Sequence, residues 1–492
     1  MILLILLSPI VGTLLIMAGA PARRTAICAA LFAFLLSLIV AGRFETGAGY
    51  QFVNSWPVLP DWNLNFTVGV DGLSLLLVLL TTIVTLAAVW FAGDIEKYPR
   101  AFYSSLLLIS AGALGAFVSL DLFFFYAFHE LALIPTFLLI GIWGSGNRSA
   151  AAWKITIYLS VGSFILLIGL IMLYQSIPAP ARTFDFRSLP LAAAQINAQS
   201  QRTIYLLLLV GFGVLVSLFP FHSWAPEAYA SAPPAAAMLH AGVLKKFGLY
   251  GLLRLALPLL PAGAQYWTSL LVALLLGNII YIGLATIAQK RLDWMLGYSS
   301  VMHMGYIFLG IAAVGVLSTT GAAVLIFGHG LSIAILFAIA GEVRKRTGTL
   351  VFEDLGGLGK TMPLAGLAFG FGAFAAIGLP GMANFAGEIM IFFGSFQKGW
   401  ELSRFHLFQV ATVLALWGVV ISTVYMLRAY RQTFMGTMPD RWRELPDLRE
   451  DLRIPLAILI AALLWFGFFP QYLVRIISPV FHSTLVASNS SP

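Results

Sequence analysis

Apolar runs of about 20 residues recur along the chain, separated by short polar links. A helix needs about 20 mostly apolar residues to cross the hydrocarbon core of a bilayer. Fourteen such runs stand out, at roughly 1–20, 26–42, 71–93, 102–119, 121–143, 155–175, 203–225, 234–257, 266–287, 294–316, 321–341, 363–396, 405–430 and 454–473, counted against that length. The pattern predicts an all-α integral membrane protein, with residues 1–492 forming one polytopic domain. Two runs are interrupted, 203–225 at Pro220 and 363–396 at Leu379-Pro380-Gly381. Proline removes a backbone donor, and a broken helix in a membrane is tolerated where it lines a cavity or is covered by protein. The interruptions fall at comparable places in 102–257 and 266–430, flanked by 1–93 and 454–473. This predicts two inverted five-helix repeats, each with a broken helix, and a site near the midplane. The first run lacks a basic leading segment and a small-residue cleavage site, so we expect a retained span.

Composition agrees with lipid as the solvent. The chain is 60% hydrophobic and 10% charged, where a soluble domain carries about a quarter charged residues. Its net charge of +8 is spread over short loops, which excludes a nucleic-acid surface and instead sets topology. Arg23, Arg24, Lys97, Arg100, Arg148, Lys154, Lys290 and Arg291, with the cluster Arg344–Arg346, Lys360 and six arginines from Arg428 to Arg453, fall in alternate loops. The positive-inside rule places that set in the cytoplasm. The sparser set Arg43, Arg182, Arg187, Arg202, Arg254, Lys398, Arg404 and Arg475 then faces outward, as do both termini. Cys28 is the only cysteine, so the chain cannot hold an iron–sulfur ligand set or a disulfide of its own. No phosphate-binding glycine loop, nucleophile triad or zinc site is present, which leaves any redox or energy source to partner subunits.

Ionisable residues inside the spans carry the chemistry. Each costs about 3 kcal/mol or more at the centre of a bilayer on insertion scales. Glu130 lies between Phe123-Phe124-Phe125 and Pro135. Burial penalises the charged form of a carboxyl and a nearby cation rewards it, so a group balanced between the two exchanges a proton. Lys245 and Lys246 lie deep in one span and differ by about 100° around a helix. One is expected to face a polar interior and the other to pair or to reach toward the interface. Glu388 follows the break at Pro380, where half-helix ends expose backbone groups. His303 and His329 suit a proton relay. His222, just after Pro220, is expected to satisfy backbone groups freed by that break. His129 is expected to point away from Glu130, and Lys154 is a supporting candidate.

The segment LFPFHSWAPEAYASAPPAAAMLHAGVLKKFGLYGLLR (218–254) resembles the most diagnostic stretch of the antiporter-like subunits of respiratory complex I. GVDGLSLLLVLLTT (69–82), YSSVMHMGY (298–306), FGHGLSIAILF (327–337) and LPGMANFAGEIMIFFGSFQ (379–397) extend the resemblance over nearly the whole chain. That family also includes subunits of multisubunit sodium/proton antiporters and of membrane-bound hydrogenases. The glutamate in the broken twelfth span, Glu388, favours the M-type branch, since L- and N-type relatives carry lysine there. The resemblance implies a proton-translocating, non-redox subunit of an NADH-quinone oxidoreductase in the bacterial inner membrane, with periplasmic termini. It implies L- and N-like membrane partners, surrounding lipid, and NADH, flavin, iron–sulfur clusters and quinone bound elsewhere in the complex. Carried over by position, Glu130 matches the fifth-span glutamate and Lys246 the eighth-span lysine, while His303, His329 and Glu388 match the second half-channel. The chain departs from the pattern at the seventh-span lysine, which is Leu215, and at the proline two residues later, which is Ser217. The usual Asp-Ala-His reads Glu227-Ala228-Tyr229, and the usual Asp-x-Lys reads Arg291-Leu292-Asp293. The missing lysine keeps two other readings open beside a sodium/proton antiporter or hydrogenase subunit: a specialised copy with an altered first half-channel, or a non-conducting scaffold.

Overall fold

The computed structural model describes residues 1–47, 49–401 and 405–489; Arg404, expected on the outward side, lies outside them. Each apolar run is helical. The helices are α1 (Ile2–Met17), α2 (Ala22–Gly42), α3 (Gly72–Ala92), α4 (Pro99–Val118), α5 (Leu122–Trp143) and α6 (Arg148–Ser176). They continue with α7 (Ala198–Val216), α8 (Trp224–Ser231), α9 (234–259), α10 (Pro261–Ile287), α11 (Leu292–Ala312) and α12 (Val316–Thr347). The last are α13 (Pro363–Ile377), α14 (Ala383–Glu401), α15 (Phe405–Phe434), α16 (Arg453–Phe468) and α17 (Gln471–Asn489). Among the described residues eleven helices are long and apolar enough to cross a membrane. The two interruptions appear where proline predicted them, between α7 and α8 and between α13 and α14.

Local chemistry sets the helix ends. Asp71 caps α3 by accepting from Ser74 N at 3.0 Å, and Asp121 caps α5 by accepting from Phe123 N at 2.8 Å. Such caps satisfy donors that have no partner inside the helix. Pro99 and Pro363 open α4 and α13 from the first turn, where a missing N–H costs nothing. Gly348 closes α12 in the left-handed region at φ +71°.

The helix α12 runs through the centre of the bundle. Its apolar window is wholly buried, as expected of a helix apolar on every side. At 32 residues it is about 48 Å long, so its basic end, Arg344–Arg346, extends past the hydrocarbon. It packs on α14 through glycines seven residues apart, Gly321 and Gly328 on one helix and Gly387 and Gly394 on the other. A methyl at Gly387 would lie 2.6 Å from Leu325 N, and one at Gly394 would lie 2.7 Å from Ser318 N. With little hydrophobic drive between helices in lipid, such close backbone approach supplies the packing energy, and it presses the carboxylate-bearing helix against the one bearing His329.

Four features lie outside what the pattern predicted. Strands β1 (Gln51–Leu59) and β2 (Leu64–Val70) form an antiparallel hairpin between α2 and α3, in register with Trp56 opposite Phe66. The hairpin continues into the α4–α5 link, where Leu120 N donates to Thr67 O at 2.9 Å. A final helix, α17, follows α16 after Phe469-Pro470, so the last predicted span ends at Phe468 instead of 473. α9 and α10 contain π-helical turns at His240–Leu244, Leu252–Ala256 and Gly277–Ile282. A buried ion pair joins Arg254 Nη2 to Asp71 Oδ1 at 2.6 Å, with the guanidinium 5.3 Å from the ring centroids of both Tyr50 and Tyr250.

The loops predicted to be cytoplasmic come together at one end. Arg23 pairs with Asp94 and Asp451, Arg344 bonds Ser145 and Asp293, and Arg346 donates to Pro446 O and Asp447 O. The hairpin and the Arg254–Asp71 pair belong to the opposite end.

Candidate functional site

The two lysines of α9 follow a π turn, which widens a helix by one residue and is frequent at functional sites. Both are buried, Lys245 at 1% and Lys246 at 0% relative exposure, so of the two expectations for the second lysine, pairing or reaching toward the interface, the latter is not met. Lys246 Nζ lies 2.8 Å from His329 Nδ1 of α12. Two ionisable groups on different helices are thus in direct contact. Lys245 takes another direction, with Nζ 3.4 Å from Ser300 O of α11 and 5.7 Å from the centre of the Tyr229 ring.

From His329 the row continues to His303 of α11, with ring centroids 5.5 Å apart. His303 faces two backbone carbonyls, Nδ1 at 2.7 Å from Ser299 O and Nε2 at 2.7 Å from Ala376 O. Carbonyls only accept, and a neutral imidazole carries one N–H. Both contacts are hydrogen bonds only when the ring holds both protons. Ala376 is in the last turn of α13, at the break, so a proton gained or lost at His303 makes or loosens a bond to the broken helix.

Across that break lies Glu388, buried at 4%. Gly378 ends α13 with φ +79°, and a methyl placed on it would collide with Glu388 Oε2. The carboxylate is therefore folded against the break. Its Oε1 has no hydrogen-bond partner among the described residues, and Asn384 Oδ1 nearby in sequence has none either. Asn384 Nδ2 donates to Ser332 Oγ of α12 at 3.4 Å.

On the other flank, Phe247 follows Lys246 and carries the row to α5. The His129 ring stacks on Phe247 at 4.0 Å, and Phe125 stacks on it from 4.5 Å. His129 Nδ1 lies 3.4 Å from Glu130 Oε1, which also accepts from Ser163 Oγ of α6 at 2.5 Å. The expectation that His129 points away from Glu130 is corrected: stacking on Phe247 turns its ring toward the carboxylate. The Glu130 side chain is 34% exposed, on the outer side of the bundle. The five residues Glu130, Lys246, His329, His303 and Glu388 thus form a row through the protein, each well inside its helix.

The remaining candidates have smaller parts. His222 stacks on Phe219 at 5.7 Å. It also bonds the Pro220 backbone at the break, and Asn278 of α10 serves the same break: its Oδ1 accepts from Phe219 N at 2.7 Å, and its Nδ2 donates to Ser217 O at 3.1 Å and Val301 O at 2.9 Å. Lys154 pairs with Glu227 of the half-helix α8 at 2.7 Å. Leu215 is buried in apolar surroundings. The sequence reading passed over His240, whose Nδ1 is 3.2 Å from Tyr229 OH and whose Nε2 has no partner among the described residues. It is ionisable and within a span, the signal that picked out its neighbours. Among the described residues no group of His, Cys, Asp and Glu could hold a metal ion.

The sequence and the fold are similar to those of several known proteins. The family model described as NADH:quinone oxidoreductase/Mrp antiporter, transmembrane, matches residues 119–415. The F(420)H(2) dehydrogenase subunit M of Methanosarcina mazei is 35% identical over 463 residues, covering 91% of each chain. The NADH-quinone oxidoreductase subunit M of Rickettsia felis is 31% identical, covering 94% of this chain and 92% of the relative. Among solved structures, a chain of respiratory complex I from Thermus thermophilus with bound NADH superposes with a TM-score of 0.88 at 26% identity, covering 99% of this chain and 100% of that one.

Proposed function

The chain belongs to the NADH:quinone oxidoreductase/Mrp antiporter transmembrane family, and from that premise we propose that it translocates protons as an M-type membrane-arm subunit of a redox-driven quinone oxidoreductase. The observation that carries the reading is the 2.8 Å contact between Lys246 Nζ and His329 Nδ1. Two nitrogens this close share a proton, and the sharing shifts whenever a neighbouring charge changes. His303 extends that coupling to the second break and Glu388, while Phe247 and His129 extend it to Glu130. Each broken helix supplies one access route to the row, in keeping with two inverted repeats. NADH, flavin, iron–sulfur clusters and quinone belong to partner subunits, and L- and N-like chains flank this one in a bacterial inner membrane, with the basic end cytoplasmic and the termini periplasmic.

The test is proton uptake by inverted membrane vesicles driven by NADH, comparing the wild type with Glu130→Gln and Glu388→Gln at equal assembly. Either substitution is expected to cut uptake several-fold. Unchanged uptake in both would sink the reading.

One observation favours a second reading. Leu215 puts a buried aliphatic side chain where the resemblance calls for a cation, as in a scaffold that spaces the membrane arm without conducting. That reading requires Glu130→Gln and Lys246→Leu to be tolerated together with normal assembly.

A further inference from the structure

A carboxylate held in a membrane protein needs a counter-charge or a proton. Among the described residues no Lys or Arg forms an ion pair with Glu130; the only ion-pair contact is His129 Nδ1, 3.4 Å from Oε1. Its other contacts, Ser163 Oγ at 2.5 Å and the Tyr126 hydroxyl, are neutral hydroxyls. On the histidine side of this pair the packing is apolar and aromatic: Phe125 and Phe212 lie 4.5 and 5.9 Å from Phe247 by ring centroids, and Leu215, one turn beyond Phe212 on α7, is buried. The imidazole is itself buried and fixed by its stacking on Phe247 with an interplanar angle of 19°, which aims Nδ1 at Glu130 and leaves the ring beside the residue that follows Lys246.

We propose that His129 is the proton-exchange partner of Glu130, supplying from the same helix the cation that Leu215 does not provide. The inference rests on the proton-translocation reading. In the step itself the Nδ1–H bond of the imidazolium breaks and an O–H bond forms at Glu130 Oε1, so a charged pair becomes a neutral pair and no electrons move. The reverse step restores the pair. Stated generally, a histidine-for-lysine exchange has moved the partner from the broken seventh span to the fifth.

The experiment compares His129→Phe, which keeps an aromatic ring on Phe247 and removes both nitrogens, with Glu130→Gln and with His129→Phe/Leu215→Lys. Proton uptake in inverted vesicles is read alongside the infrared carboxyl and carboxylate bands of Glu130 in the isolated complex, assigned by their loss in Glu130→Gln. His129→Phe is expected to lower uptake several-fold and to shift the Glu130 bands, and Leu215→Lys in the same chain is expected to recover uptake. Unchanged uptake in His129→Phe beside a loss in Glu130→Gln overturns the inference and leaves the reading it rests on standing; unchanged uptake in both overturns the inference, and the reading too when Glu388→Gln is equally without effect. A loss of uptake with the Glu130 bands unmoved makes His129 a packing ring and overturns the inference. If His129→Phe does not assemble, His129→Gln is used for the infrared comparison, with the same two outcomes.

Discussion

Gly378 shows how far a single residue constrains the site. Its φ of +79° is a conformation that other residues adopt only with strain, and any side chain there collides with the Glu388 carboxylate. Gly348, with φ +71°, has open space around it. Gly348→Ala is therefore expected to cost about 1 kcal/mol from the backbone alone, visible as a small drop in thermal stability with proton uptake intact. Gly378→Ala adds displacement of Glu388 and is expected to lower uptake as well as stability. Equal behaviour of the two variants would mean that the carboxylate does not depend on the break. The importance of Glu388 was legible in the sequence because an acid in an apolar run is conspicuous. The contact of His129 with Glu130 was not, because adjacent residues on a helix diverge and only the Phe247 ring, over 100 positions away, turns the imidazole back.

Among elements, the helices were legible from length and hydropathy, and both breaks from proline. What stabilises a break was not. Asn278 meets three backbone groups from α10, and nothing near Pro220 in sequence points to it. Replacing it by Leu leaves Phe219 N and Ser217 O without those partners, at about 1–3 kcal/mol for each buried group. Asn278→Leu is expected to lower the thermal stability of the assembled protein markedly, and Asn278→Asp, which keeps the acceptor for Phe219 N, to lower it less; the check is a melting curve in detergent. The hairpin was missed because the outer part of β1 is exposed on both faces, so its residues show no alternation. The π turns have no compositional mark, and the burial of both adjacent lysines was not legible because α9 is enclosed by protein on nearly every side, so residues about 100° apart both face inward. The helix α17 was missed because its apolar residues occupy one face and Pro479 interrupts it.

At the scale of the molecule, ion pairs differ by burial, and both ends hold buried and partly exposed ones. Partly exposed pairs such as Arg23–Asp451 at the basic end are each worth about 0–1 kcal/mol. The opposite end uses Arg254–Asp71, enclosed by Tyr50 and Tyr250 and joining the hairpin side of α3 to α9. Removing one partner of such a pair strands the other, at about 3–5 kcal/mol. Asp71→Asn is expected to impair assembly or lower the melting temperature steeply, and Arg23→Ala to leave both nearly unchanged; similar melting temperatures for the two would refute the difference. The row of Glu130, Lys246, His329, His303 and Glu388 lies between these ends, at similar positions along helices that cross the bilayer. A charge crossing the whole membrane works against about 2.3 kcal/mol per 100 mV. Under the proposed function the row follows the membrane midplane, and a charge passed along it does almost no electrical work. In that reading the transmembrane voltage leaves transfers between neighbours in the row unbiased and opposes or assists only the entry and exit legs, each of which bears roughly half of the potential.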